Sequence, residues 1–296
     1  MTKPSRHIPF YLQMVDLLRN AIALLDDQGR EEALQFITSQ QNADGGFQDR
    51  GGRSDLYYSL FGGMMLRAES PLNPPEGDFD ETRAISSVSL KRLGEFIGKQ
   101  KGEFIPGFIE QCCLILLQKE LRIKRFSRFK SLLSLARSFM KEKDSINLSY
   151  RSFVLFLTLD TVLPFPGILK LASKKMFAKT TVDQHSPCSE IAAKVFLQKM
   201  MNQKGLKEQE LLKSFACDSG GFKAFQHLQQ ADMLSTAVAL FALNYANHDL
   251  RLLKPACLDF IQSNFSVGAF LSGDGDPTTD VEYTFYGLLA LGVLGK

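Results

Sequence analysis

Carboxylates are the residues of this chain whose spacing most directly suggests chemistry. Asp78-Phe-Asp80-Glu81-Thr82 and Asp280-Val-Glu282-Tyr-Thr284 each set acids two positions apart at the start of a helical pattern. A carboxyl group donates a proton near neutral pH only where burial and partners keep it protonated and dry. At a solvated helix start the same residues simply cap. Asp26-Asp27 with Glu31-Glu32 has the composition of a Mg²⁺ site but falls at a turn. Asp183, His185 and Cys188 are zinc-type side chains, yet three ligands so close together need a fourth from elsewhere, and an exposed loop before a helix at Pro187 explains them as well. The densest cationic run is Lys119, Arg122, Lys124, Arg125, Arg128 and Lys130, continuing to Arg137 and interleaved with Phe126, Phe129, Leu132 and Leu133. Such an amphipathic face suits a diphosphate, an anionic membrane surface or plain solvent.

The elements that must position these groups read as helices. Apolar periodicity predicts helices from residue 10 to about 25 and over 31–40, 54–68, 83–98, 105–120, 125–142, 147–161, 166–177, 187–202, 207–215, 230–245, 250–264 and 279–294. No segment alternates like a strand bounded by hairpin turns. Short connections between about a dozen helices imply stacked helical hairpins. The Pro-rich stretch 71–76 is the best internal break but is no linker, so the expectation is one domain over 1–296.

A repeat organises the helices. Gln41-Asn-Ala-Asp-Gly-Gly-Phe47 precedes Ser54-Asp-Leu-Tyr-Tyr58. Cys217-Asp-Ser-Gly-Gly-Phe222 precedes Ala231-Asp-Met-Leu-Ser-Thr236. Ser266-Val-Gly-Ala-Phe270 precedes Thr279-Asp-Val-Glu-Tyr-Thr284. The step from Phe to the later Asp is 8, 10 and 10 residues, and Phe222 and Phe270 lie 48 apart. Gly after a helix end enters the left-handed region cheaply. Ser54-Asp55 and Thr279-Asp280 read as cap pairs for the helices that follow, with Asp opposing the helix dipole.

Composition narrows the class. Hydrophobic residues make up 45% and charged residues 23%, enough for a large core. A net charge of +3, with no nucleic-acid motif, argues against DNA or RNA partners. Twenty-four Phe and no Trp supply bulky apolar surface that needs no hydrogen-bond partner. Five Cys without a C-x-x-C pair fit free thiols in a reducing cytoplasm. Residues 1–10 are basic but no apolar stretch follows, and the most apolar run, 152–166, is interrupted by Asp160 and too short to span a bilayer.

The D-G-G-F turn, polar loop and S/T-D-x-x-Y/T together resemble the repeat of the prenyltransferase β-subunit and squalene/terpene cyclase superfamily. The closest passage runs from Gly268 to Gly292 and is similar to the G-x-F, G-D, E-x-D-T-R-F and A-L segment of geranylgeranyltransferase β subunits. The similarity is good over 30–68 and 207–294 and weak over 85–200. It implies an all-α fold, an α/α toroid of about twelve helices in two concentric rings, with an isoprenoid in a central aromatic funnel. Burial at roughly 25 cal/mol per Å² would hold such a chain, and aromatic faces stabilise carbocations.

In site terms, the resemblance implies that Tyr57, Tyr58, Phe61, Tyr283, Phe285 and Tyr286 line the funnel, that Arg50 and Arg53 sit at its mouth, that Asp55 belongs with these substrate-binding residues, and that Asp80, or Asp280 with Glu282, imitates the D-x-D-D acid of class II cyclases. The zinc pattern of protein prenyltransferases is missing: there is no D-x-C, and Tyr283 stands where the Y-H-T motif carries its zinc histidine. Zinc is therefore not expected, and Mg²⁺ would come only with a diphosphate substrate. The functional expectation is an enzyme acting on a prenyl diphosphate or polyprene. The alternatives are an inactive toroid that binds lipid or protein, and a β-like subunit needing an α partner. Peripheral membrane contact stays open.

Overall fold

The computed structural model describes residues 8–69, 81–100, 107–123, 127–141, 148–163 and 181–295. The helix expected at 166–177, the break at 71–76 and Asp80 lie outside them. Among the described residues are twelve helices: α1 Phe10–Ile22, α2 Asp27–Ser39, α3 Leu56–Glu69, α4 Glu81–Lys99, α5 Phe108–Glu120, α6 Arg128–Lys141, α7 Leu148–Val162, α8 Cys188–Met200, α9 Leu206–Lys213, α10 Met233–Tyr245, α11 Lys254–Ser263 and α12 Val281–Leu294.

Six of them form a closed ring. Helix α3 packs on α5, α5 on α7, α7 on α8, α8 on α10, α10 on α12, and α12 returns to α3. Helices α2, α4, α6, α9 and α11 pack against this ring from outside. The sequences of α10 and α12, MLSTAVALFALNY and VEYTFYGLLALGVL, are apolar on nearly every face. A helix of that kind is stable only when covered on all sides, as an inner-ring helix is. No helix among the described residues is long and apolar enough to cross a membrane.

The repeat is the joint between an outer and an inner helix. Phe47, Phe222 and Phe270 are all fully buried, each worth roughly 1.5–3 kcal/mol of apolar transfer. Their amide groups donate to Ser59 Oγ (2.9 Å), Thr236 Oγ1 (2.9 Å) and Thr284 Oγ1 (3.4 Å) on the next inner helix. The rings of Phe47 and Phe270 lie on Gly62 and Gly287, where a Cβ would come within 2.5 Å and 2.2 Å of ring carbons. The third copy has Ala239 at this place. Gly45 (φ 95°) and Gly268 (φ 75°) turn the chain so tightly against Arg92 of α4 and Glu32 of α2 that a side chain would meet backbone at 2.2 Å. The Gly268 contact lets the last repeat grip the first outer helix and so helps close the circle.

The joints between helices include strand pairs too brief to alternate, and one expectation, the capping by Ser54 and Thr279, needs correction. Short antiparallel pairs do occur: β1 Phe47–Gln48 with β2 Ser54–Asp55, and β3 Phe265–Ser266 with β4 Ala269–Phe270. Two residues are too few to show alternation. Ser54 and Thr279 do not cap. Ser54 Oγ donates to Asp44, and Thr279 pairs with Leu271 across a β-bridge. The Asp residues cap alone: Asp55, Asp232 and Asp280 accept from the amides of Tyr58, Ser235 and Tyr283 at 2.7–3.0 Å.

Helix α1 has a separate place. It packs on α3, α7 and α12, across the end of the ring where the inner helices finish. The Phe10 ring meets Phe156, Phe196 and Tyr245 edge-on at 5.0–5.8 Å, and its amide donates to the buried Asp160 carboxylate at 2.8 Å. With eight buried side chains, α1 is a fixed floor rather than a lid.

Candidate active site

The ring encloses an apolar cavity of about 90 Å³, lined by all six inner helices and by Met14 of α1. Its aromatic wall includes Phe61, Phe153, Phe196, Phe241 and Phe285. Phe61 stacks on Phe285 (4.4 Å) and Phe196 on Phe241 (5.6 Å). The space is smaller than the ~150 Å³ that holds a benzene. A longer apolar chain therefore fits only if side chains move aside, and the flexible Met14 and Met64 in the wall are suited to that.

Polar groups gather at the end opposite α1, where the inner helices begin. Tyr57 donates its hydroxyl to Glu282 Oε1 at 2.9 Å and lies 3.3 Å from the Tyr286 hydroxyl. Tyr58 reaches Glu282 Oε2 at 3.4 Å. Tyr150, from α7, interacts with Tyr57. Tyr57, Tyr150 and Tyr286 face the cavity, and Glu282 sits behind them. Burial pushes the Glu282 carboxyl above its ordinary value, opposed by the Tyr57 hydrogen bond. Burial also raises the phenols of Tyr57, Tyr150 and Tyr286 well above theirs. Glu282 thus holds its proton more tightly than a solvated glutamate does.

Asp280 is placed differently. One oxygen caps α12 through the Tyr283 amide (2.7 Å) and the other accepts from Arg50 Nε at 2.8 Å. Arg50 also reaches Asp276 at 3.4 Å and lies over the Tyr283 ring at 5.0 Å. The Asp280 partner holds the guanidinium still more firmly protonated. This cluster ties the first repeat's loop to the last repeat's helix, so Asp280 is engaged as a cap and a counter-ion.

The sequence-derived residues therefore separate. Tyr57, Phe61, Phe285 and Tyr286 line the cavity, with Glu282 next to them. Tyr58 and Tyr283 stay at the rim, Asp55 caps α3, and Arg53 is exposed in the β1–β2 loop. Asp26 caps α2. Asp183 accepts from the amides of His185 and Ser186, while Cys188 is buried against the Ser235 carbonyl. Those three side chains form no ligand set, and among the described residues no group of three or more His, Cys, Asp or Glu could hold a metal. All five cysteines are free. Tyr150, Cys113 and Met14 line the cavity without having been expected there. Tyr150 and Cys113 lie in the stretch without a recognisable repeat, and only ring closure brings them to the site.

No curated protein and no solved structure matches the chain. The family profile of the prenyltransferase alpha-alpha toroid domain matches residues 5–155 and 188–296. Three buried Phe turns, a closed inner ring and this match over most of the length agree, and the chain belongs to the prenyltransferase alpha-alpha toroid family.

Proposed function

We propose that this protein holds an isoprenoid in the apolar centre of its ring and that Glu282 serves as the acid that meets it there. The observation that carries the reading is the cavity itself: aromatic and aliphatic on its walls, with one carboxyl and three phenols at a single end. An alkene bound among Phe61, Phe285 and Phe196 would have a proton source within the Glu282–tyrosine cluster, and ring faces to stabilise the carbocation formed. Glu282 suits this role better than Asp280, whose oxygens are committed to Arg50 and to the helix amide. A second reading, a lipid holder without chemistry, draws support from the small volume of the cavity.

The test is to incubate purified protein with farnesyl diphosphate, geranylgeranyl diphosphate and an acyclic C15 triene, with and without Mg²⁺. Binding is followed by thermal shift and products by mass spectrometry. Turnover lost in Glu282→Gln with binding kept supports the acid role. Turnover that survives both Glu282→Gln and Asp80→Asn removes it. Binding without turnover in the wild type selects the lipid holder, and no binding of any prenyl probe refutes the isoprenoid reading.

A further inference from the structure

Resting on that reading, we infer that the ligand's polar end is a neutral hydroxyl, so that the site takes a prenyl-type alcohol in preference to a prenyl diphosphate. The hydrogen-bond polarity of the cluster leads there. Tyr57 has one proton and gives it to Glu282 Oε1. In the 3.3 Å pair of phenols, Tyr286 must then be the donor to Tyr57. The Tyr286 oxygen is left with lone pairs and no further proton, and Glu282 Oε2 meets the Tyr58 hydroxyl at 3.4 Å. The Tyr286 oxygen therefore wants a donor, while Glu282, as the proposed acid, has its own proton to give to an acceptor. A hydroxyl supplies the donor and can also accept. A diphosphate supplies acceptors only.

Charge points the same way. Helix starts on this side carry Asp55, Asp232, Asp280, Glu282 and Glu190, and Asp274 and Asp276 lie in the loop before α12. Among the described residues, Arg50 is a cation beside the cluster, and it is already held by Asp280 and Asp276 and covered on one face by Tyr283. To bind a diphosphate, Arg50 would have to leave two carboxylates, and those carboxylates would then face the anion unpaired. An alcohol enters without disturbing that arrangement.

The ten-carbon series separates head group from tail: geraniol, geranyl diphosphate without metal and with Mg²⁺, and the hydrocarbon myrcene, each titrated calorimetrically into the full chain. Geraniol should bind more tightly than myrcene by roughly 3–10-fold, the value of one neutral hydrogen bond, and more tightly than geranyl diphosphate by about tenfold or more. Tyr286→Phe and Glu282→Gln should shrink the preference for geraniol over myrcene towards equality. Geranyl diphosphate binding as well as geraniol, with or without Mg²⁺, overturns the inference and leaves isoprenoid binding standing. So does geraniol affinity equal to that of myrcene. Failure of all three probes refutes the isoprenoid reading itself.

Discussion

Filling the cavity should make the protein more stable and less able to bind. Ala193 on α8 lines the empty space, and Ala193→Leu puts an isobutyl group where a methyl stands. Void space costs about 24 cal/mol per Å³, so the 90 Å³ of the cavity corresponds to about 2 kcal/mol if wholly filled. One Leu fills part of it, and the expected gain is about 1 kcal/mol, less if Phe196 or Phe241 must shift. A binding site carries this signature because empty apolar volume is kept for a ligand at the expense of stability. Urea unfolding at constant slope gives the stability change, and calorimetric titration with a prenyl probe gives the affinity. The expected pair is a higher midpoint and binding weakened at least tenfold. A lower midpoint with unchanged binding would mean that the void is no ligand site, and the reasoning would fail.

Three further outcomes follow from other parts of the fold. Ser59→Ala or Thr236→Val removes the acceptor for the buried amide of Phe47 or Phe222, and urea unfolding should report a loss of about 1–3 kcal/mol. Val267, itself exposed, has φ 49° in the two-residue β3–β4 loop. Val267→Asn puts a turn residue in place of a strained branched one, and the melting temperature should rise with a gain of about 1 kcal/mol. Burial raises the folded-state pKa of Glu282, so the native state holds its proton more tightly than the unfolded chain. Relative to Glu282→Gln, wild-type stability should be greatest below the ordinary carboxylate value of about 4.3 and should fall as pH rises through the raised value. A difference that grows in the opposite direction would show Glu282 held as a carboxylate.

The fold was legible because its joint is local. The turn Gly, the buried Phe and the capping Asp fall within a few residues of one another, and each leaves a mark in the sequence. The same joint carries a signal that the sequence also holds: a hydroxyl four residues after the Asp (Ser59, Thr236, Thr284) and a small residue seven after it (Gly62, Ala239, Gly287). Searching for that pattern as well would have strengthened the repeat. Glu282 and Tyr57 were legible by the same logic, since each stands two residues after a repeat's Asp at the start of an inner helix, and Tyr286 follows Glu282 one turn further along the same face. Tyr58 and Tyr283 fall at neighbouring positions, but rotation about the helix axis takes them to the rim. Tyr150 and Met14 were not legible. Tyr150 joins the cluster through ring closure, and Met14 through the unusual course of α1 across the end of the ring. The engagement of Asp280 by Arg50 spans 230 residues of chain, and no local pattern announces it.

The central claim is that the middle of the ring is where an isoprenoid goes. A crystal structure of the protein soaked with an iodinated prenyl alcohol measures this directly, because the iodine's anomalous signal marks its own position. The account predicts a peak inside the ring among Phe61, Phe285 and Phe196, with Met14 or Met64 displaced. A peak found only on the outer helices, around an unchanged centre, would contradict it.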